Sequence, residues 1–184
     1  MASETPGQQG FAVWITGIPA AGKSTLARAL HALLCARGID TEVLESDELR
    51  KIFTPDPHYD ERERAAFYGQ MIYIGTLLTR HGVAVIFDGT ANRRTWREQA
   101  RRAIPRFIEI YVNTPAAVSM ARDPKGIYRR AREGEAHSVP GIQEPYEPPV
   151  EPDVEVCGDR ETPGTAAGRV LTKLIEKGFI SGAE

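Results

Sequence analysis

Only two cysteines, three methionines and two tryptophans occur among 184 residues. No apolar run approaches the roughly 20 residues that a membrane-crossing helix needs, so no membrane partner is expected. Cys35 and Cys157 are too few and too far apart for a disulfide scaffold or a CxxC metal or redox motif. Both fall in stretches that read as helix and strand, and they are expected to be buried thiols in a reducing cytoplasm. His31, His58, His81 and His137 show no metal-ligand spacing, and Trp14 and Trp96 read as packing residues. An excess of one charge sign is also missing: the net charge is -2 and the pI about 6.1. The chain therefore lacks the basic field that holds nucleic acid. Residues 1–10 carry neither a basic nor an apolar block and read as a disordered leader rather than a secretory signal. With 41% hydrophobic and 26% charged residues, residues 11–184 are expected to form a single domain that buries roughly two-thirds of its unfolded surface.

What is present is an alternation of two periodicities. The run from Phe11 ends at Gly17 and suits a buried strand, and Ser24 to Arg37 repeats leucine and alanine at helical spacing before Gly38. A second strand is expected at Thr41 to Leu44 and a long helix from Asp60 to Arg80. Val83 to Phe87 and Phe107 to Val112 read as further strands, with a basic helix from Arg94 to Ala103 between them. Pro115 suits the first turn of a short helix. A last strand at Val154 to Cys157 and a closing helix from Ala166 to Lys177 follow. Residues 122–135 are charged with no evident apolar face and read as a mobile lid, and the proline-rich stretch after them as an irregular connector. Strands that alternate with helices imply an α/β fold: a parallel sheet with helices on both faces. Ligands of such sheets gather at the carboxyl ends of the strands.

Between the first strand and the first helix stands Gly17-Ile18-Pro19-Ala20-Ala21-Gly22-Lys23-Ser24, which fits G-x-x-x-x-G-K-[ST]. Glycine at 17 and 22 lets the backbone turn without side-chain clash, so that successive N–H groups face a phosphate at the positive end of the helix. Gly17, Ala20, Ala21, Gly22, Lys23, Ser24 and Thr25 are the expected nucleotide cradle of a P-loop NTPase fold. Lys23 is expected to bridge the β- and γ-phosphates of ATP, and Ser24 to ligate Mg²⁺. No Asn-Lys-x-Asp guanine-reading element follows, and the basic segment at 122–135 sits where P-loop kinases carry a lid; a kinase is favoured over a GTPase. Asp88, at the end of a strand, reads either as a carboxylate holding Mg²⁺ through water or as a cap of the next turn. Arg94, Arg97, Arg101 and Arg102 read as a solvated helix face.

Ala121-Arg122-Asp123-Pro124-Lys125-Gly126-Ile127-Tyr128-Arg129-Arg130-Ala131-Arg132 resembles the lid signature of the adenylylsulfate (APS) kinases, A-R-D-P-K-G-[LI]-Y-[KR]-[KR]-A-R. The likeness extends from Trp14 to Glu155, through Arg106 to Pro115 and Pro140-Gly141-Ile142. Those kinases transfer phosphoryl from ATP, with Mg²⁺, to the ribose 3′-hydroxyl of APS, a step of sulfate assimilation. Their D-G-D-x-x-R loop corresponds to Glu45-Ser46-Asp47-Glu48-Leu49-Arg50. The resemblance implies that Asp47 orients or deprotonates the acceptor hydroxyl and helps hold Mg²⁺, that Arg50 binds the phosphosulfate, and that Glu45 keeps the first carboxylate on a longer arm. It further implies that Arg122 lies against ATP, that Lys125 faces the acceptor, and that the protein is a homodimer.

The chain departs from the family before the long helix, where APS kinases carry F-S-x-x-D-R-x-E-N-I-R-R. Tyr59 takes the place of the stacking aromatic and Arg64 that of the first arginine. Phe67 replaces the asparagine, and Gly69 and Gln70 replace the paired arginines. Two other readings therefore stand beside the APS kinase: a kinase of this fold for another small anionic hydroxyl acceptor such as a nucleotide, and a nucleotide-binding module without turnover.

Overall fold

The computed structural model describes residues 9–182. Five strands form one parallel sheet: β1 (Ala12–Thr16), β2 (Thr41–Glu45), β3 (Ala84–Asp88), β4 (Phe107–Val112) and β5 (Val154–Val156). Their spatial order is β2-β3-β1-β4-β5. Between them run α1 (Lys23–Ala36), α2 (Ser46–Phe53), α3 (Glu61–Arg80), α4 (Arg94–Ala103), α5 (Ala116–Arg122) and α6 (Ile127–Arg132), and α7 (Pro163–Glu176) closes the chain. The expected elements are all present, with ends moved by a few residues, which is the usual scatter of helix and strand limits. Because β1 lies at the centre and both its neighbours run parallel to it, every crossover helix must cover one face or the other.

Alternation along β1 divides the interior. Val13 and Ile15 face α1 and α7 and pack with Leu26, Leu30, Val170 and Leu174. Ala12 and Trp14 face the other way, toward Phe67, Met71, Trp96 and Ile104 of the α3 and α4 side. Both tryptophans are packing residues, as expected: the Trp14 ring stacks on Phe87 at 4.7 Å, and Trp96 stacks on Tyr68 at 4.8 Å.

Three expectations are corrected. Residues 1–8 of the leader lie outside the described residues, but Gly10 is buried and its amide donates to Thr79 O at 2.9 Å, so the fold begins before Phe11. Cys35 and Cys157 are exposed, not buried. Cys35 occupies the outer face of α1 beside exposed Ala36 and Arg37, and Cys157 lies one residue past the buried Val156. Arg97 is not on a solvated face; it is 1% exposed. It sits opposite Glu109 of β4, with Nε and Oε1 2.6 Å apart, and also donates to Ala91 O and, at 2.6 Å, to Glu147 O. A guanidinium can be buried only where its charge and its donors are matched, and here a carboxylate and two carbonyls do so.

Candidate active site

Every polar loop of interest lies at the carboxyl end of the sheet. Gly17 to Gly22 leave β1 in a tight loop: an added Cβ at Gly17 would come within 2.7 Å of Val112 O, and Gly22 holds φ 109° as the residue before α1. No side chain caps α1 and its first turn carries no acid, so the amides at its positive end are left for an anion. Lys23 Nζ curls over the loop and donates to Gly17 O at 3.1 Å and Ile18 O at 3.0 Å. Burial pulls its pKa below the usual lysine range, and the carboxylates of Asp88 and Asp47 partly restore it. A poorly solvated ammonium backed by two carboxylates is suited to meeting a highly charged phosphate chain.

The carboxylates come from adjacent strands. Glu45 ends β2 and pairs in register with Asp88, the last residue of β3, and the chain turns directly into α2, placing Asp47 in its first turn. The segment between α5 and α6 folds back so that Lys125 Nζ lies 2.5 Å from Asp47 Oδ2 and 3.7 Å from Glu45 Oε1. Partial burial would lower the Lys125 pKa, but the hydrogen bond to Asp47 and the charges of Asp47, Glu45 and Asp88 outweigh it and raise it. Lys23, Glu45, Asp47, Asp88 and Lys125 thus share one mouth, the grouping expected of a phosphoryl-transfer centre.

Lid residues 122–135 are not a bare charged stretch. Asp123 accepts from the amides of Tyr128 (3.2 Å) and Arg129 (2.9 Å), starting α6, and Tyr128 is fully buried with its hydroxyl on Pro19 O at 2.8 Å. Arg122 stands exposed at the end of α5, and Thr25 is exposed in the first turn of α1; neither is drawn into the carboxylate cluster.

A second group forms beside the mouth. Arg50 is buried, its guanidinium 3.9 Å above the Phe67 ring and 5.0 Å from that of Tyr59, and it pairs with Glu63 at 3.2 Å. Phe67, in the place where the family has asparagine, is thus a cation–π floor for Arg50. Glu63 also accepts from the amides of His58 (2.6 Å) and Tyr59 (3.3 Å), which holds Tyr59 in the left-handed region at φ 58°. Arg64 donates from Nε to Tyr59 O (2.8 Å) and from its two Nη atoms to Asn92 Oδ1 (3.3 Å) and Ser138 O (2.6 Å), which leaves one N–H on each Nη. Asn92 was missed in the sequence: it is 2% exposed, donates to Pro145 O at 3.0 Å, and its carbonyl takes the Glu147 amide at 2.8 Å. Arg93 and Arg94 are both engaged by Glu147, at 3.3 Å and 4.0 Å.

Cradle, lid and acidic strand ends on a five-stranded parallel sheet define a P-loop kinase. The family model of adenylylsulphate kinase matches residues 9–157. An adenylyl-sulfate kinase of Microcystis aeruginosa is 42% identical over 173 residues, covering 94% of this chain and 96% of that one. A probable adenylyl-sulfate kinase of Pyrococcus abyssi is 38% identical over 172 residues, covering 94% and 99%. The APS kinase CysC of Mycobacterium tuberculosis, solved with AMPPNP and APS, superposes with a TM-score of 0.85 at 30% identity, covering 90% of this chain and 98% of its own. The chain belongs to the adenylylsulfate kinase family.

Proposed function

We propose that the chain is an adenylylsulfate kinase, transferring the γ-phosphoryl group of ATP to the 3′-hydroxyl of APS to give 3′-phosphoadenylylsulfate and ADP. The observation that carries this reading is the convergence of Lys23, Asp47, Asp88 and Lys125 at the open end of the phosphate cradle. Phosphoryl transfer asks a protein mainly for positioning and charge neutralisation. Gly17, Ala20, Ala21, Gly22, Lys23, Ser24 and Thr25 bind the phosphate chain, and Arg122 lies against ATP. Asp47 orients the acceptor hydroxyl and takes its proton as the oxygen bonds to the γ-phosphorus and the bond to ADP breaks. Lys125, which faces Asp47 from the lid, neutralises charge on the acceptor side.

Ser24, Asp47 and Asp88 form an all-oxygen donor set at the cradle, the chemistry that suits Mg²⁺ shared between protein and phosphate. No group of three or more His, Cys, Asp or Glu converges as a metal cage among the described residues. Bound there, Mg²⁺ would screen the β- and γ-oxygens. Glu45, Arg50, Tyr59 and Arg64 are assigned to the acceptor, with Tyr59 stacking its base. We assign the residues from Gly10 onward to one domain with the lid at about 122–135, working as a homodimer in the cytoplasm; light scattering on the purified protein tests the dimer.

ADP release measured with APS against a panel of nucleotides and phosphosugars decides the reaction. Turnover with APS is expected. A specific observation supports a second reading: Phe67, the floor beneath Arg50, stands where the family's acceptor helix carries asparagine, which suits another anionic hydroxyl acceptor. Turnover with such a compound but none with APS would establish that reading, and ATP binding with no turnover on any acceptor would mark a nucleotide-binding module.

A further inference from the structure

Two carbonyls on the outer side of the cradle are held by buried hydroxyls that the reaction itself does not use. Tyr128 of α6 donates to Pro19 O at 2.8 Å and is 1% exposed; Thr114, in the turn after β4, donates to Ala21 O at 2.8 Å and is 5% exposed. No cis peptide occurs among the described residues, so each peptide is trans and planar, with its N–H directed opposite to its C=O. Fixing the Pro19 carbonyl outward therefore fixes the Ala20 amide the other way, and fixing Ala21 O does the same for the Gly22 amide. These are amides of the loop that the Proposed function assigns to ATP phosphate. Ala20 is non-glycine at φ 58°, a conformation that persists only where surroundings hold it. Burial lifts the Tyr128 pKa to about 12, so its hydroxyl remains a donor throughout the range in which the protein is assayed.

Tyr128 also stands three residues from Lys125, whose ammonium reaches Asp47. One short lid segment therefore touches the cradle at Pro19 and the carboxylates at Asp47. We infer that Tyr128 is a positioning residue: through Pro19 it sets the phosphate-binding amides of the cradle and makes their alignment depend on the seating of the lid, with Thr114 bracing the next outward carbonyl. The inference rests on the reading of the cradle as an ATP site.

Tyr128→Phe removes the hydroxyl and leaves the ring. The expected result is a rise of about fivefold in the Kd for ATP by calorimetry and a matching rise in KM for ATP, the scale of one lost hydrogen bond. The KM for the acceptor stays within error, and the Tm falls only by the roughly 2–4 °C that one buried hydrogen bond is worth. Thr114→Val, which keeps the shape, is expected to shift ATP affinity in the same direction, and it carries the test should the Phe variant fail to fold. Unchanged ATP affinity in the folded variants would overturn the inference, as would a parallel loss for ATP and acceptor with a larger fall in Tm, which marks simple loosening. Failure of the parent protein to bind ATP at all would instead sink the reading of the site.

Discussion

A lysine whose ammonium is drawn out of water and set beside two carboxylates has its charge conditioned before substrate arrives. Lys23 is in that position, and Asp47 stands across the same mouth with one oxygen on Lys125. Removing either group takes away electrostatic or proton-transfer help that is effective in a partly dehydrated site. Lys23→Ala and Asp47→Ala are each expected to lower kcat by about two orders of magnitude or more. Steady-state ADP release measures this, and near-parent rates in either variant would remove that residue from the chemistry. Arg97 works differently, because its partners are structural. Arg97→Met leaves Glu109 with only Arg101, at 3.5 Å, and the Ala91 and Glu147 carbonyls without their donor; it is expected to cost about 3 kcal/mol of stability, read as a shift of the urea midpoint at unchanged slope.

Legibility at the residue scale followed locality. The phosphate cradle declares itself in eight consecutive residues, because one turn of backbone must meet one phosphate. Arg97 did not: its neighbours Arg94, Arg101 and Arg102 mimic a solvated stripe, and Glu109 lies on a strand 12 residues on in sequence. Asn92 reads as an ordinary turn former until Arg64, Pro145 and Glu147 close round it. Tyr128 was hidden in the same way, as an aromatic among arginines whose partner lies 109 residues earlier.

At the scale of elements, α3 lies unusually close to β3. A Cβ built on Gly75 would come within 2.2 Å of the Phe87 ring, and both residues are buried. Gly75→Ala would gain helix propensity in isolation. Within the fold it must displace an aromatic ring that also stacks on Trp14, and overpacking of that kind costs about 1–3 kcal/mol. A lowered Tm with intact helical circular dichroism is the expected outcome; a raised Tm would show that the ring yields freely. The elements themselves were readable because each strand is short and three of them, β1, β3 and β4, are mostly apolar and closed by glycine, aspartate or asparagine. The lid was read less well: its one buried side chain gives no periodicity, and its helix is started by Asp123 rather than by an apolar stripe.

At the scale of the whole molecule, Asp153 ties the far side of the sheet together. Its carboxylate accepts from the Glu109 amide at 2.9 Å and faces Lys177 at 3.0 Å and Arg101 at 3.3 Å, joining β4, the end of α7, and α4. Burial alone would raise its pKa; these donors and charges more than offset burial and hold it below the usual carboxylate value. A carboxyl depressed in the folded state stabilises fully above its unfolded pKa and loses that contribution as pH falls through the folded one. Acid destabilisation therefore includes Asp153 at pH values under about 4, and Asp153→Asn is expected to narrow the Tm difference between pH 7 and pH 3. An unchanged pH profile would remove Asp153 from that account.

The short link from α3 into β3 has a use for anyone who wishes to modify this protein. Val83 bonds back to Leu78 at 3.1 Å, Ala84 to Asp40 at 2.8 Å and Val85 to Phe11 at 2.8 Å, so no slack remains there, and one added residue would turn Asp88 away from Glu45. Between the tied residues Glu147 and Asp153, positions 148–152 around Val150, itself 74% exposed, make no hydrogen bond or ion pair among the described residues. A reporter peptide or affinity handle belongs there, where added length leaves the pairing of the strands alone.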